Sequence, residues 1–127
     1  MPGGGVALLR AVRSLNDLNL KGDEAIGVQI IRSAAFAPAT SIATNCGKPG
    51  NLIAEKIYEN EGFFGYNGLT DEFTDLVKAG VVDPVLVTKS ALKNAASVAG
   101  LLLTTATLIT DKPKPKSSQP SMDDMGG

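Results

Sequence analysis

The sequence predicts an all-α fold: a helical bundle with at most a short β segment near residues 63–68 and a disordered tail. Three observations carry that prediction. Apolar residues recur at steps of three and four over much of the first 110 positions. Aromatic residues make up 5% with no Trp, so a core must be built from Ala, Val, Ile and Leu, which suits closely packed helices. After Thr110 the stretch "DKPKPKSSQPSMDDMGG" has almost no apolar content and alternates Lys with Pro, so residues 1–110 read as one domain and 111–127 as a disordered tail.

The first helix spans residues 6 to about 15, where Val6, Leu8, Leu9, Val12 and Leu15 share a face, Arg10 and Arg13 occupy the remaining surface, and the "GGG" at 3 to 5 forms a turn leading in. Asp23 is the expected N-cap of the second helix, with Glu24 favourable in its first turn. Ile26, Ile30, Ala34, Ala37 and Ser41 form one strip of it, and Val28, Ile31, Ala35 and Ile42 a second, so the helix should be buried on two sides. Pro38 lacks a backbone donor, which predicts a kink or break near Phe36. "NCGKPGN" then stops the helix, with Gly47 as the C′ residue.

A third helix over residues 51 to 60 should turn Leu52, Ile53 and Ile57 inward. "EGFFGYNG" is the strand-like stretch, and its Asn67-Gly68 pair is a strong turn signal. Thr70 is then expected to cap a helix with Asp71 and Glu72 in its first turn and Phe73, Leu76 and Val77 on its core side. The longest helix begins at "GVVDPVLVTKSAL", with Asp83 as N-cap and Pro84 at N1, and should run through the middle of the bundle, since both of its faces are small or apolar from Ala95 onward.

Composition removes whole classes of function. Twelve basic against thirteen acidic side chains leave a net charge of −1, so no electrostatic argument favours nucleic acid or an anionic membrane. The most apolar run, residues 95 to 109, is too short to span a bilayer. One cysteine, Cys46, forms no internal disulfide and reads as a small buried thiol in a reducing compartment; the absence of His removes imidazole chemistry and His-ligated metals. Arg10 and Arg13 near the start could suit a transit peptide, but the three glycines and single serine fit a turn and folded helix better.

Three stretches could hold a ligand, and each also has a plain structural reading. "GGG" before a helix can face a phosphate or simply form a turn. Asn67 beside Gly68 can offer donor and acceptor to the edge of a base or simply close a hairpin. Asp83 can cap its helix with one carboxylate oxygen and accept bonds from ribose hydroxyls with the other. The acids Asp71, Glu72 and Asp75 read as a solvated helix face.

Taken together, "PGGGVALLRA", "APATSIATNCGKPGNLI", "GYNGLTDEFTDLVKAGVVDP" and "TKSALKNAASVAGLLLTTATLITDKP" resemble the carboxy-terminal part of a group I, GroEL-type chaperonin, in order over residues 2 to 113. The "MDDMGG" ending resembles a shortened form of the Gly-Met tail of that family. The resemblance implies the second half of an all-helical equatorial domain, from a chaperone that uses ATP with magnesium and potassium to drive protein folding in double rings. It implies that Gly4 lies against the nucleotide, that Asn67, Gly68 and Leu69 form the loop around the adenine, that Val81 lies beneath the base, and that Asp83 binds the ribose. Leu69 departs from the small, alanine-like residues common at its position.

The phosphate-binding loop, the metal ligands, the catalytic aspartate and the substrate-binding domain of such chaperonins lie upstream of "PGGG". The resemblance therefore implies an excised or truncated piece with no catalytic and no metal-binding residue, expected not to hydrolyse ATP alone. Partners implied are other subunits of the ring, with co-chaperonin and unfolded proteins engaged through the missing domains, and self-association through apolar strips left bare. The bacterial cytoplasm, mitochondrial matrix or plastid stroma are the implied locations. The alternative is a stand-alone helical scaffold or interaction module that binds no nucleotide; an Asp83→Asn change would then affect only the helix start.

Overall fold

In this computed structural model, which describes the backbone of residues 1–110 and the side chains of residues 1–106, there are four α-helices and a two-stranded sheet, and the core is built from the first three helices, the sheet and Leu76. Met1–Thr88 form one compact unit; a second begins at Lys89 and, among the described residues, is the remainder of the last helix. The predicted tail at 111–127 lies outside the described residues.

Helix α1, Val6–Ala11, tightens into a 3-10 helix, Val12–Asp17, and buries Val6, Leu9 and Val12. Arg10 and Arg13 lie off that buried face, as expected, but are half-buried and bonded to distant backbone. Arg10 donates to the carbonyls of Ile57, Gly62 and Phe64 at 2.8, 2.9 and 3.1 Å. Arg13 donates to the carbonyls of Tyr58 and Asn60, with its guanidinium 5.2 Å from the Tyr58 ring centre. The two cations thus satisfy backbone acceptors where α3, Gly50–Glu59, ends and the sheet begins. Partial burial and the neighbouring Arg13 lower the Arg10 pKa from its usual value, and Glu61 offsets part of this.

Helix α2, Asp23–Asn45, follows Gly22, so Asp23 is its first helical residue instead of its N-cap. Asp23 and Glu24 still lie in the first turn, where carboxylates favour the dipole. The helix continues as one element across Pro38. Phe36 packs on Tyr58 at 5.1 Å and Ala39 is buried in the core, so both sides of the proline are anchored.

Burial on two sides is not found. Only Ala39 and Ala43 are buried, while Ile26, Ile30 and Ile31 are 59, 64 and 58% exposed, because only the C-terminal part of α2 reaches the core. By length and composition α2 could span a membrane. Arg32 near its midpoint, bonded to Asn16, and the core packing of Ala39 and Ala43 favour a surface helix anchored at one end.

Gly47 closes α2 as expected. The N–H of Gly47 reaches Thr44 O at 2.9 Å and that of Lys48 reaches Ala43 O at 3.0 Å, the paired bonds of a Schellman motif, with Gly47 at φ 75°. Helix α3 buries Ile53, Ala54 and Ile57. Leu52, expected inward, is 70% exposed because it shares its face with the exposed Lys56 four residues on.

The extended segment is strand β1, Phe64–Asn67, but its partner corrects a further expectation. The helix predicted after Thr70 is instead strand β2, Glu72–Asp75, paired antiparallel with β1 from Phe64↔Asp75 to Asn67↔Glu72. Phe73 explains the choice: it stacks on Phe64 at 5.4 Å and meets Tyr66 at 5.7 Å, cross-strand contacts that a lone helix could not make. Asp75 Oδ1 then accepts the N–H groups of Val77 and Lys78, turning the chain so that Leu76 is fully buried.

Helix α4, Val85–Thr110, starts one residue later than expected. Thr88 N–H bonds to Pro84 O, so Pro84 holds the cap position and Asp83 precedes it. The expected central burial of α4 is also corrected: Leu92, Val98, Leu101 and Leu102 are 54 to 68% exposed.

Candidate functional site

The glycine turn at 3 to 5 is where distant parts of the chain meet. Residues 1–3 run antiparallel to 81–83: Gly3 N–H donates to Val81 O at 2.9 Å, Asp83 N–H donates to Met1 O at 3.0 Å, and Pro2 pairs with Val82. This short pairing places Asp83 beside the turn. A Cβ added at Gly3 would lie 3.4 Å from Asp83 Oδ1 and 3.3 Å from the Val81 side chain.

At Gly4 a Cβ would meet Leu76 Cδ1 at 3.0 Å and the Tyr66 carbonyl at 3.5 Å. The turn therefore also abuts the residue before Asn67. These contacts give the glycines a packing role of their own, and α1, with six residues, is too short to add a full helix dipole behind them.

Asn67 is 7% exposed and is the buried polar residue of the described chain. Its Oδ1 accepts the Leu69 N–H at 3.0 Å, an Asx turn that shapes the loop out of β1. That bond uses one acceptor position, and the side-chain NH2 has no protein partner among the described residues, so a donor and an acceptor position remain. Gly68 is exposed to solvent on one side with Cys46 Sγ against the other, and Leu69 is 94% exposed at the tip of the loop. Asp83 is exposed, and its carboxylate makes no bond to the start of α4 among the described residues.

The structure thus brings Gly4, Val81 and Asp83 to one edge, with Asn67 one residue from the contact at Tyr66. Leu69 projects away from the protein. Two surface hollows, of about 190 and 390 Å³, are lined around Leu15, Arg32 and Tyr58 and include none of these residues. Among the described residues no three His, Cys, Asp or Glu side chains gather.

Sequence reasoning missed the residues that fix the loop. Tyr66 Oη donates to Asp71 Oδ1 at 2.8 Å, and Lys48 Nζ pairs with Asp71 Oδ2 at 2.5 Å. Asp71 is no part of a helix face, as had been expected; it sits at φ 59° at the end of the loop. Lys48, then Tyr66, hold its carboxyl below the usual carboxylate range. Burial, then the Asp71 carboxylate, push the Tyr66 hydroxyl up to about 12. Cys46, expected buried, is exposed, with its Sγ 4.0 Å from Gly68 O. The tyrosine before Asn67 and the acid four residues after it were visible locally, whereas Lys48 arrives only through the end of α2.

Comparison with known proteins is consistent with these stretches. The profile described as "TCP-1/cpn60 chaperonin family" matches residues 1–113. Chaperonin GroEL 1 of Protochlamydia amoebophila (strain UWE25) is 75% identical over 122 residues, 96% of this chain and 22% of the relative. A crystal structure of a group III chaperonin in the open state superposes with a TM-score of 0.75 at 34% identity, over 82% of this chain and 22% of that one. The chain spans about a fifth of the length of both.

Proposed function

The chain belongs to the TCP-1/cpn60 chaperonin family, and from that premise we propose that it serves as the carboxy-terminal equatorial part of an ATP-dependent protein-folding chaperone. In this reading it carries the adenine and ribose half of a nucleotide site. Asn67 and the Gly68 backbone face the base, Leu69 lies at its rim, Val81 lies beneath it, Asp83 accepts from the ribose hydroxyls, and Gly4 permits close approach. Magnesium and potassium would be held outside this chain, together with the catalytic carboxylate; among the described residues no three His, Cys, Asp or Glu side chains gather.

The observation that supports the reading most is the pairing of residues 1–3 with 81–83. It sets a carboxylate with no helix to cap beside a glycine turn, within one residue of Asn67, whose side-chain NH2 has no protein partner among the described residues. A solvent-facing acid and an amide NH2 open to a further acceptor suit a ligand with vicinal hydroxyls and a polar base edge. The open geometry fits half a site, completed by other parts of a longer chaperonin chain.

Asp83→Asn, placed in the longer chain that holds the rest of the site, is the test. Loss of one charge-assisted pair of bonds should weaken ATP affinity by about tenfold, with little change in melting temperature. Equal ATP affinity in both proteins would sink the ribose role. The 127-residue chain alone should bind ATP weakly and show no turnover above background, and robust turnover by the purified chain would overturn the proposal.

A further inference from the structure

The 67–69 loop is fastened from outside the hairpin. Asp71, at its far end, uses both carboxylate oxygens: Oδ1 accepts from Tyr66 on β1, and Oδ2 from Lys48, which leaves the Schellman turn at the end of α2. The loop is therefore closed across its base by Tyr66–Asp71 and tied to a second element by Lys48–Asp71. Cys46, from the same α2 turn, lies against Gly68; a Cβ there would come within 2.7 Å of its Sγ. Asp71 accepts the left-handed φ of 59° that this closure requires.

The geometry points to Lys48 as a positioning residue: through Asp71 it forms an ionic latch that holds the 67–69 loop and the Asn67 side chain in binding shape. For the identity of the ligand, an adenine base, this rests on the nucleotide reading; the latch itself rests on the distances. The groups facing Asp71 are Lys48 and the Tyr66 hydroxyl, with the Cys46 thiol beyond Tyr66. With the lysine present, the loop is ordered before ligand arrives, and the cost of ordering falls outside the binding step. Without it, Asp71 keeps only Tyr66, and the loop opens more often.

Hydrogen exchange followed by mass spectrometry on the 127-residue chain tests this, using Lys48→Met and Lys48→Arg. Lys48 is partly exposed at the surface, so neither change threatens the core. A surface ion pair of this kind predicts exchange about threefold to fivefold faster in the peptide covering residues 66–72 of Lys48→Met. Residues 52–58 of α3 should be unchanged, and Lys48→Arg should restore the parent rate. Equal rates at 66–72 in all three proteins would overturn the latch, as would a uniform acceleration that includes α3. Millimolar ATP, added to the longer chaperonin chain that holds the rest of the site and carries the same Lys48 variants, supplies the separate arm. Slower exchange at 66–72 in the parent, reduced in Lys48→Met, supports loop and ligand together. No effect of ATP on the parent, with exchange still dependent on Lys48, supports the latch and rejects its adenine ligand.

Discussion

Gly5 lies so close to Ala39 that a Cβ on it would stand 2.6 Å from the Ala39 backbone nitrogen. Gly5 is also at φ 78°, so an alanine there meets both backbone strain and a helix that cannot retreat without opening the core. Gly5→Ala should destabilise the protein by about 3 kcal/mol or more. Gly47 supplies the control: it has a similar φ of 75° but open space around it, so Gly47→Ala should cost only about 1 kcal/mol. Urea denaturation of the two variants separates the steric from the conformational cost, and equal losses would contradict the close approach.

Arg10 joins the end of α3 to the start of β1 by three charge-assisted bonds from one side chain. Arg10→Met should lower stability by about 2–3 kcal/mol, since three carbonyls lose a charged donor while solvent recovers part of the loss. Arg10→Lys should recover less than half, because an ammonium lacks the planar fork that reaches three separate acceptors. Full recovery by lysine in chemical denaturation would show that charge alone matters there.

The hydroxyl of Tyr66 should titrate near pH 12 when Tyr58→Phe leaves it as the chain's only tyrosine and absorbance follows the phenolate. Burial is the main cause; the hydrogen bond that the hydroxyl donates to Asp71, and then repulsion by that carboxylate, add to it. A folded pKa above the unfolded value of about 10 stabilises the fold fully below pH 10, and that contribution is lost as pH rises through about 12. Asp71 acts at the other end of the scale. Its folded pKa is depressed, so its contribution is present above the ordinary carboxylate value of about 3.9 and is lost as pH falls through the lower folded value. Asp71→Asn should bring the Tyr66 titration part of the way back toward 10, and no movement would remove Asp71 as a cause.

Exposed isoleucines on α2 predict association. Ile26, Ile30 and Ile31 form an apolar surface that a lone soluble helix would cover. Sedimentation should show concentration-dependent self-association of the chain, reduced at least about tenfold by Ile30→Glu, with melting temperature retained because Ile30 is 64% exposed. A clean, well-folded monomer at high concentration would end this prediction.

Much of the fold was legible because its signals are local. The Schellman end at Gly47, the span of α3 and the turn at Asn67-Gly68 each depend on residues within one or two turns of chain. Capping assignments at Asp23 and Asp83 each missed by one residue, since a carboxylate satisfies the same dipole just inside or just outside a helix start. The stretch after Thr70 was harder: its Thr, Asp and Glu carry the local marks of a helix start, yet Phe73 gains more from Phe64 and Tyr66 across the hairpin. Of the candidate site, the residue types at Asn67 and Asp83 were visible in the sequence, while the Lys48–Asp71 contact beside the loop was hidden by a separation of 23 positions.

By itself, the sequence determined the helical character of the chain, the position of its turns, and the stretches that mark its family. Those follow from apolar spacing and from backbone rules that act over three or four residues. Only the tertiary structure decided that Glu72–Asp75 is a strand, that Arg10 serves three carbonyls, that α2 leaves its isoleucines bare, and that Asp83 stands beside Gly3. Each of these depends on which distant partner comes within hydrogen-bonding or van der Waals reach, and that is fixed when the chain closes on itself.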